Sequence, residues 1–259
     1  MSFFSGLSVF VFGAVIGSFL NVVILRLNTG QSIVSGKSKC FNCAKKLRWY
    51  ELVPLFSFLA LRGKCSSCRS KISWQYPIVE AVSGLLFLGI FNSISVQTSF
   101  DFLNIIYLWI VFSILIVIAV YDYHHQIIPN LFVWIFNGLA FVGLFFLSRG
   151  NELFFNWNNL IAGAVLFSFF ALLWLVSRGR WMGFGDAKLA LGIGWLLGMT
   201  FGIIAITLAF WIGAIVGVAL IYLSKNKYGI KSAIAFGPFM ILGTAISFFW
   251  GEKIVDFLF

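Results

Sequence analysis

A chain of 259 residues that is 61% hydrophobic and 10% charged, with only four prolines, lies outside the composition of an ordinary soluble domain. Its formal net charge of +10 raises the question of nucleic acid, but the basic residues are spread over loops between apolar runs and form no recognisable binding motif, which argues against that partner. The composition is that of an all-α polytopic membrane protein embedded in a lipid bilayer.

Eight apolar runs are predicted to cross the roughly 30 Å hydrocarbon layer, at about residues 3–26, 76–92, 102–121, 131–148, 159–177, 187–200, 201–223 and 233–250. The first is too long for a cleaved secretory signal, and Arg26 follows the apolar stretch instead of preceding it, so this run is expected to stay as an anchor. The sixth is short; it is expected to tilt or to join the seventh in a re-entrant hairpin. Placing the N-terminus outside puts Arg26, Lys37, Lys39, Lys45, Lys46, Arg48, Arg62, Lys64, Arg69, Lys71, Arg178, Arg180, Lys188, Lys225, Lys227 and Lys231 on the cytoplasmic side. Only Arg149 and Lys253 remain outside, the asymmetry expected of a membrane protein so oriented. The chain then divides into a first transmembrane helix (1–27), a cytoplasmic loop (28–75) and a transmembrane core (76–259).

The loop holds all four cysteines, Cys40 with Cys43 in "KCFNCAKKL" and Cys65 with Cys68 in "GKCSSCRSK". Two CxxC pairs at this separation can each clamp a metal through a tight turn, and four thiolates complete the closed tetrahedral shell of structural zinc. Neighbouring Lys and Arg offset the charge of such a centre. The rival readings are disulfides, disfavoured in a reducing cytoplasm, and unligated thiols. So short a loop, with few apolar residues, is expected to need the metal to hold its fold.

Among the eight carboxylates, Glu80, Asp122 and Asp186 fall in or at the edge of apolar runs, where an ionisable group is costly and points to function. Asp122 ends the third run in "VIAVYDYHHQIIPN" and Asp186 begins the sixth in "GFGDAKLALGIG". Both lie at the cytoplasmic boundary of the orientation above. Two aspartates at one depth can share a proton: one acts as base on a water while its protonated partner donates to the carbonyl under attack. Gly183 and Gly185 would let the backbone at Asp186 approach its neighbours closely and take angles other residues resist. Asp186 opens a helix, whose N-terminal partial charge favours the carboxylate, and Asp122 closes one, so Asp186 is expected to start as the base. The bland alternative is that both acids simply mark helix ends. Lys188 either tunes the neighbouring carboxylate or reaches for the headgroups. His124 and His125 read as interfacial residues of a polar turn.

These motifs occur in a telling order: "GSFLNVVILRL" (17–27), the paired CxxC loop, "ISWQYPIVEAVSG" (72–84), "YDYHHQIIPN" (121–130), "GFGDAKLALGIG" (183–194) and "FGPFMILG" (236–243). The series resembles the bacterial type IV prepilin peptidases, leader peptidase/N-methyltransferases of the GxGD aspartyl protease kind, over nearly the whole chain. The resemblance implies an inner-membrane enzyme that removes the short basic leader of type IV prepilins or pseudopilins, then methylates the new N-terminus with S-adenosylmethionine. It implies Asp122 and Asp186 as the catalytic pair and Cys40, Cys43, Cys65 and Cys68 as zinc ligands, with Gly183, Gly185, Lys188 and Glu80 as supporting residues on the physical grounds given for each. "FGPF" is a helix-start signal whose place near the active site also rests on the resemblance. The chain departs from the family in Phe41-Asn42, where CPxC is usual, and in Asn130, where an acid often stands. No S-adenosylmethionine glycine loop is present, so no cofactor-binding residues are assigned. The enzyme's own positive face would repel a basic leader, which leaves Glu80 either to favour a cationic group or to serve as a protonated or hydrogen-bonded helix-packing residue.

Two other classes compete. Tyr121-Asp122 and Gly183–Asp186 also resemble the presenilin and signal-peptide-peptidase group, but the Pro-Ala-Leu segment expected there does not occur. An ion-coupled transporter would use the aspartates for proton coupling, with matching halves that this sequence does not display.

Overall fold

The computed structural model describes residues 3–34, 36, 38–146, 156–223 and 234–258. Lys37, Arg149, Glu152, Lys225, Lys227 and Lys231 lie outside the described residues. So do the ends of the predicted runs 131–148 and 233–250. The chain is helical and falls into two compact units, residues 1–117 and 118–259. It is a polytopic membrane protein: among the described residues five helices are long and apolar enough to cross a bilayer, and Asn130–Phe146 is a shorter apolar helix.

Unit 1 contains α1 (Phe3–Arg26), a 3-10 turn (Trp49–Leu52), α2 (Phe56–Ala60), α3 (Gln75–Ser93) and the first part of α4 (Ser99–His125). α1 and α3 pack backbone to backbone. A Cβ placed on Gly13 would lie 2.8 Å from the Ser83 carbonyl oxygen, and one on Gly17 would lie 2.8 Å from the Glu80 Cα. Lipid tails are as apolar as leucine, so such helices associate through close van der Waals contact, which small residues allow. Asn21 Nδ2 adds a bond across this seam to the Tyr76 carbonyl (3.3 Å). On α4, Trp109 stacks on Phe87 with ring centroids 4.7 Å apart and donates from Nε1 to the Phe87 carbonyl. α4 starts earlier than its apolar pattern suggested, because Asp101 accepts from the Gln97 and Thr98 amides and caps the first turn.

Unit 2 contains the end of α4, then α5 (Asn130–Phe146), α6 (Trp157–Ser177), α7 (Phe184–Leu223) and α8 (Gly237–Leu258). α7 is broken at Gly198, whose φ of 80° and ψ of −174° are open only to glycine. A Cβ on Gly202 would lie 3.8 Å from the Gly194 Cα, whereas eight residues of straight helix span about 12 Å. The chain therefore doubles back at Gly198, as the hairpin reading of the sixth and seventh runs anticipates. The turn lies two to three residues before the predicted boundary between 200 and 201, and Thr200 and Phe201 belong to the second arm's helix. Gly163 and Gly194 bring α6 and the first arm of α7 together without side chains between them, and Gly243 does the same for α8 and Ala205 on the second arm. Polar side chains tie the seams: buried Asn137 to the Lys188 carbonyl (3.1 Å), half-buried Asn159 to the Trp195 carbonyl (3.1 Å) and buried Ser247 to the Phe201 carbonyl (2.7 Å). α8 runs to Leu258, beyond the predicted end at 250, and carries Glu252, Lys253 and Asp256 on its last turns.

Candidate active site and cysteine cluster

Asp122 sits in the last turn of α4. Gln126 closes that helix in the left-handed conformation (φ 54°), its N–H donating to the Asp122 carbonyl at 2.7 Å. The chain then passes through Ile128 and Pro129 into α5. Asp186 lies in the first turn of α7, and its Oδ2 accepts from the Gly183 N–H at 3.2 Å. Both aspartates are buried, 4% and 8% exposed, although the chain between them runs through two further helices. Unit 2 places Asp122 close enough for its charge to bear on Asp186.

The partner of Asp122 is the feature that sequence reasoning missed. Its Oδ2 accepts from the N–H of Gly237, the first residue of α8, at 3.0 Å. Asp122 therefore closes one helix and faces the N-terminus of another, and that second dipole opposes the first. The expected asymmetry, with Asp186 alone favoured as the base, is removed: each carboxylate is held by the amide of a glycine at or before a helix start. The only sequence signal was "FGPF", a recognisable helix start with no indication of which residue it would face.

The glycines act by proximity. Neither Gly183 nor Gly185 has a positive φ. A Cβ on Gly185 would press on the Ile128 Cβ at 3.0 Å, whereas one on Gly183 would meet the Asp186 Oδ2 at an ordinary 3.7 Å. A Cβ on Gly237 would lie 2.6 Å from the Asp122 Oδ2 and 3.5 Å from the Ile128 Cδ1. Ile128 thus packs against the backbones presenting both aspartates. Lys188 is on the same helix as Asp186, but its Nζ donates to Asn130 Oδ1 at 2.8 Å and lies over the rings of Phe184 and Trp134. The histidines are engaged locally: His125 stacks on Tyr121 and His124 meets Tyr123 edge-on. Glu80 belongs to unit 1, where its Oε2 accepts from the Leu55 N–H at 2.8 Å.

The cysteine loop is built from one turn used twice. The Cys40 N–H donates to the Lys45 carbonyl and the Ala44 N–H to the Cys40 carbonyl. The Cys65 N–H donates to the Ser70 carbonyl and the Arg69 N–H to the Cys65 carbonyl, all at 2.9–3.0 Å. Ala44 and Arg69 both take φ 55°, and the bridges Lys39–Lys46 and Lys64–Lys71 close the two turns. Each turn aims its pair of thiols inward, so the four Sγ atoms lie within 4.8 Å of one another. A metal–sulfur distance of about 2.3 Å in a tetrahedron requires Sγ–Sγ separations of about 3.8 Å, and Cys40 and Cys68 already stand 3.8 Å apart. The donor set and spacing fit a tetrathiolate metal centre.

Glu51, another residue without a sequence signal, locks the two turns together. It is buried and accepts from the Arg48 N–H (2.7 Å), from Lys45 Nζ of the first turn (3.1 Å) and from the Ser66 hydroxyl of the second. These donors hold its carboxyl at about 2, the Arg48 amide and the Ser66 hydroxyl contributing most.

Residues 11–94 match the bacterial peptidase A24 N-terminal domain, and residues 109–218 match the type IV leader peptidase family. The chain is 31% identical to a prepilin leader peptidase/N-methyltransferase of Bacillus subtilis, over 96% of this chain and 95% of that one. Proteins of the same description in Stutzerimonas stutzeri and Pseudomonas aeruginosa are each 30% identical. They match over 94% and 93% of this chain and 90% and 89% of their own lengths. No solved structure matches the chain. Set beside an aspartate pair in one matched region and a paired-cysteine loop in the other, these similarities show that the chain belongs to the type IV leader peptidase family.

Proposed function

We propose that the protein is a bifunctional prepilin leader peptidase and N-methyltransferase of the bacterial inner membrane. The observation that carries the peptidase half is the buried Asp122–Asp186 pair, each carboxylate fixed through one oxygen by a glycine amide. The second oxygen of each is left for a water and for the substrate carbonyl. Either aspartate can begin as base. It takes a proton from the water as that water attacks the scissile carbonyl, while the protonated partner donates to the carbonyl oxygen; the proton roles then reverse as the amine leaves. Because the two sites are coupled, the protonation belongs to the pair.

The family points to type IV prepilins or pseudopilins as substrates. Their hydrophilic leader stays in the cytoplasm while the following segment is apolar, so the scissile bond lies at the cytoplasmic boundary. The positive-inside bias puts Asp122 and Asp186 at that depth. Counting the two arms of α7 separately, and α8 with the rest, gives eight spans, consistent with an N-terminus outside. The cysteine cluster holds a structural zinc, since four thiolates leave no open position for chemistry. Methyl transfer uses S-adenosylmethionine, and its support is the second activity in the relatives' names.

Intact-mass spectrometry of a prepilin co-expressed with the enzyme tests this reading. Loss of the leader, with an extra methyl on the product, is expected with the unaltered chain and not with Asp186→Asn. An uncut precursor alongside a well-expressed enzyme would overturn it.

A further inference from the structure

Unit 1 carries an open cleft of about 1320 Å³, lined by residues of this unit, whereas both aspartates belong to unit 2. Its wall includes Ser18 and Val22 of α1, Trp49 and Pro54 of the loop, and Tyr76 and Glu80 of α3. Small-molecule sites typically occupy roughly 300–1,000 Å³. The space therefore holds a ligand of nucleoside size with room for a second group beside it.

Two features mark the wall as built for a ligand. Glu80 is 6% exposed, and its carboxylate is bonded to the Leu55 amide and to Ser18. Both partners are neutral, and among the described residues no cationic side chain pairs with it. A carboxyl held this way among apolar helices ionises only at a cost, and an arriving cation would offset that cost. Leu55 itself has φ 60° and ψ −49°, the centre of a strained γ-turn closed by the Phe56 N–H on the Pro54 carbonyl. Glu80 thus holds a strained turn at the edge of the cavity, an arrangement that packing alone does not require.

We propose that this cavity binds the methyl donor S-adenosylmethionine, with the sulfonium cation facing the Glu80 carboxylate. The proposal rests on the methyl-transfer half of the function above. The rings of Tyr76 and Trp49 offer faces for the adenine. In the transfer, the freed N-terminal amine, having lost a proton to solvent, attacks the methyl carbon. The N–C bond forms as the C–S bond breaks, the bonding pair stays on sulfur, and the positive charge passes to the methylated amine. Glu80 thus faces a cation before transfer and a neutral thioether afterwards, which weakens the hold on S-adenosylhomocysteine and favours its release.

The test is equilibrium binding of radiolabelled S-adenosylmethionine and S-adenosylhomocysteine to the full-length protein in lipid nanodiscs, for the wild type, Glu80→Gln and the cavity-filling Val22→Trp. Metal content and helicity serve as folding controls. The wild type is expected to prefer the cation by roughly tenfold or more. Glu80→Gln keeps an acceptor for Leu55 and is expected to lose about tenfold for S-adenosylmethionine, while S-adenosylhomocysteine changes by less than about twofold. Val22→Trp is expected to weaken both ligands at least about tenfold. Equal losses for both ligands in Glu80→Gln would leave it a merely structural residue. Unchanged binding in Val22→Trp would move the donor elsewhere. If methylated product still forms with neither variant altering affinity, the site is wrong and the methyl-transfer reading stands. If the wild type binds no donor and cleaved pilin carries no methyl, both fall.

Discussion

In unit 1 the chemistry-bearing groups are four thiols carried on two short turns, with Cys43 and Cys68 exposed and little apolar side chain beneath them. In unit 2 they are two buried carboxylates set by helices whose backbones touch at Gly163, Gly194 and Gly243. On the proposed reading of the cluster as a metal centre, the loop is expected to need a ligand to complete its fold, while the helix junction is not. Unit 1 should respond to metal supply, and unit 2 to a change of one methyl group.

The largest effect expected is on the loop. Structural zinc contributes roughly 10–16 kcal/mol of apparent binding free energy in small Cys-rich folds, far more than the hydrogen bonds of two turns. Cys65→Ala should abolish tight metal binding, measured by elemental analysis, and open residues 38–73 to protease. Far-UV circular dichroism should keep nearly its full helical signal, because the spanning helices contain none of the ligands. Loss of most helicity with the metal would break the contrast, showing that the helices also lean on the centre.

Next come the carboxylates. Asp122→Asn and Asp186→Asn each keep an oxygen for the glycine amide, so folding should survive. Removing one partner of a proton-sharing pair should cost at least about 10³-fold in the rate of prepilin cleavage. Initial rates on a purified precursor check this. A variant retaining more than a tenth of the rate would remove that residue from the chemistry.

A methyl group at each glycine then separates close approach from mere motif. Gly237→Ala puts a Cβ 2.6 Å from the oxygen its own amide holds, so the Asp122 carboxylate must move, and a misplaced catalytic group costs about 10²-fold. Gly183→Ala meets only an ordinary 3.7 Å contact and should stay within about threefold of wild type, since a contact of that length displaces nothing. Reversed outcomes would show that the GxGD glycines, and not the start of α8, set the dyad.

That reversal of emphasis shows what the sequence could carry. Asp122, Asp186 and the four cysteines were legible because a charge in an apolar run and a doubled CxxC are conspicuous in one dimension. The break in α7 was half legible: a short sixth run implied a hairpin, but only backbone geometry identifies Gly198 as the turn. The Gly237–Asp122 bond was not, because it joins residues 115 positions apart and one partner is a backbone amide, which no residue type announces. Glu51 was missed for a related reason. In a polar loop an acid is unremarkable, and only burial against Lys45 and Ser66 makes it a clasp.

The clasp gives the smallest effect and the sharpest test of the loop's design. Glu51 lies at about 2, below an ordinary 4.5, so the folded loop favours its ionised form. The stabilisation is then fully present above about pH 4.5 and is lost as the pH falls towards 2. Acid also protonates the thiolates and releases metal, so wild type must be compared with Glu51→Gln at each pH, which cancels that shared loss. Water reaches the loop, so the difference in resistance to chelator should be on the order of 1 kcal/mol at neutral pH. It should stay constant down to about pH 5 and shrink below that. A difference that grew on acidification would mean that Glu51 holds its proton in the folded loop, and that Lys45 and Ser66 are held by something else.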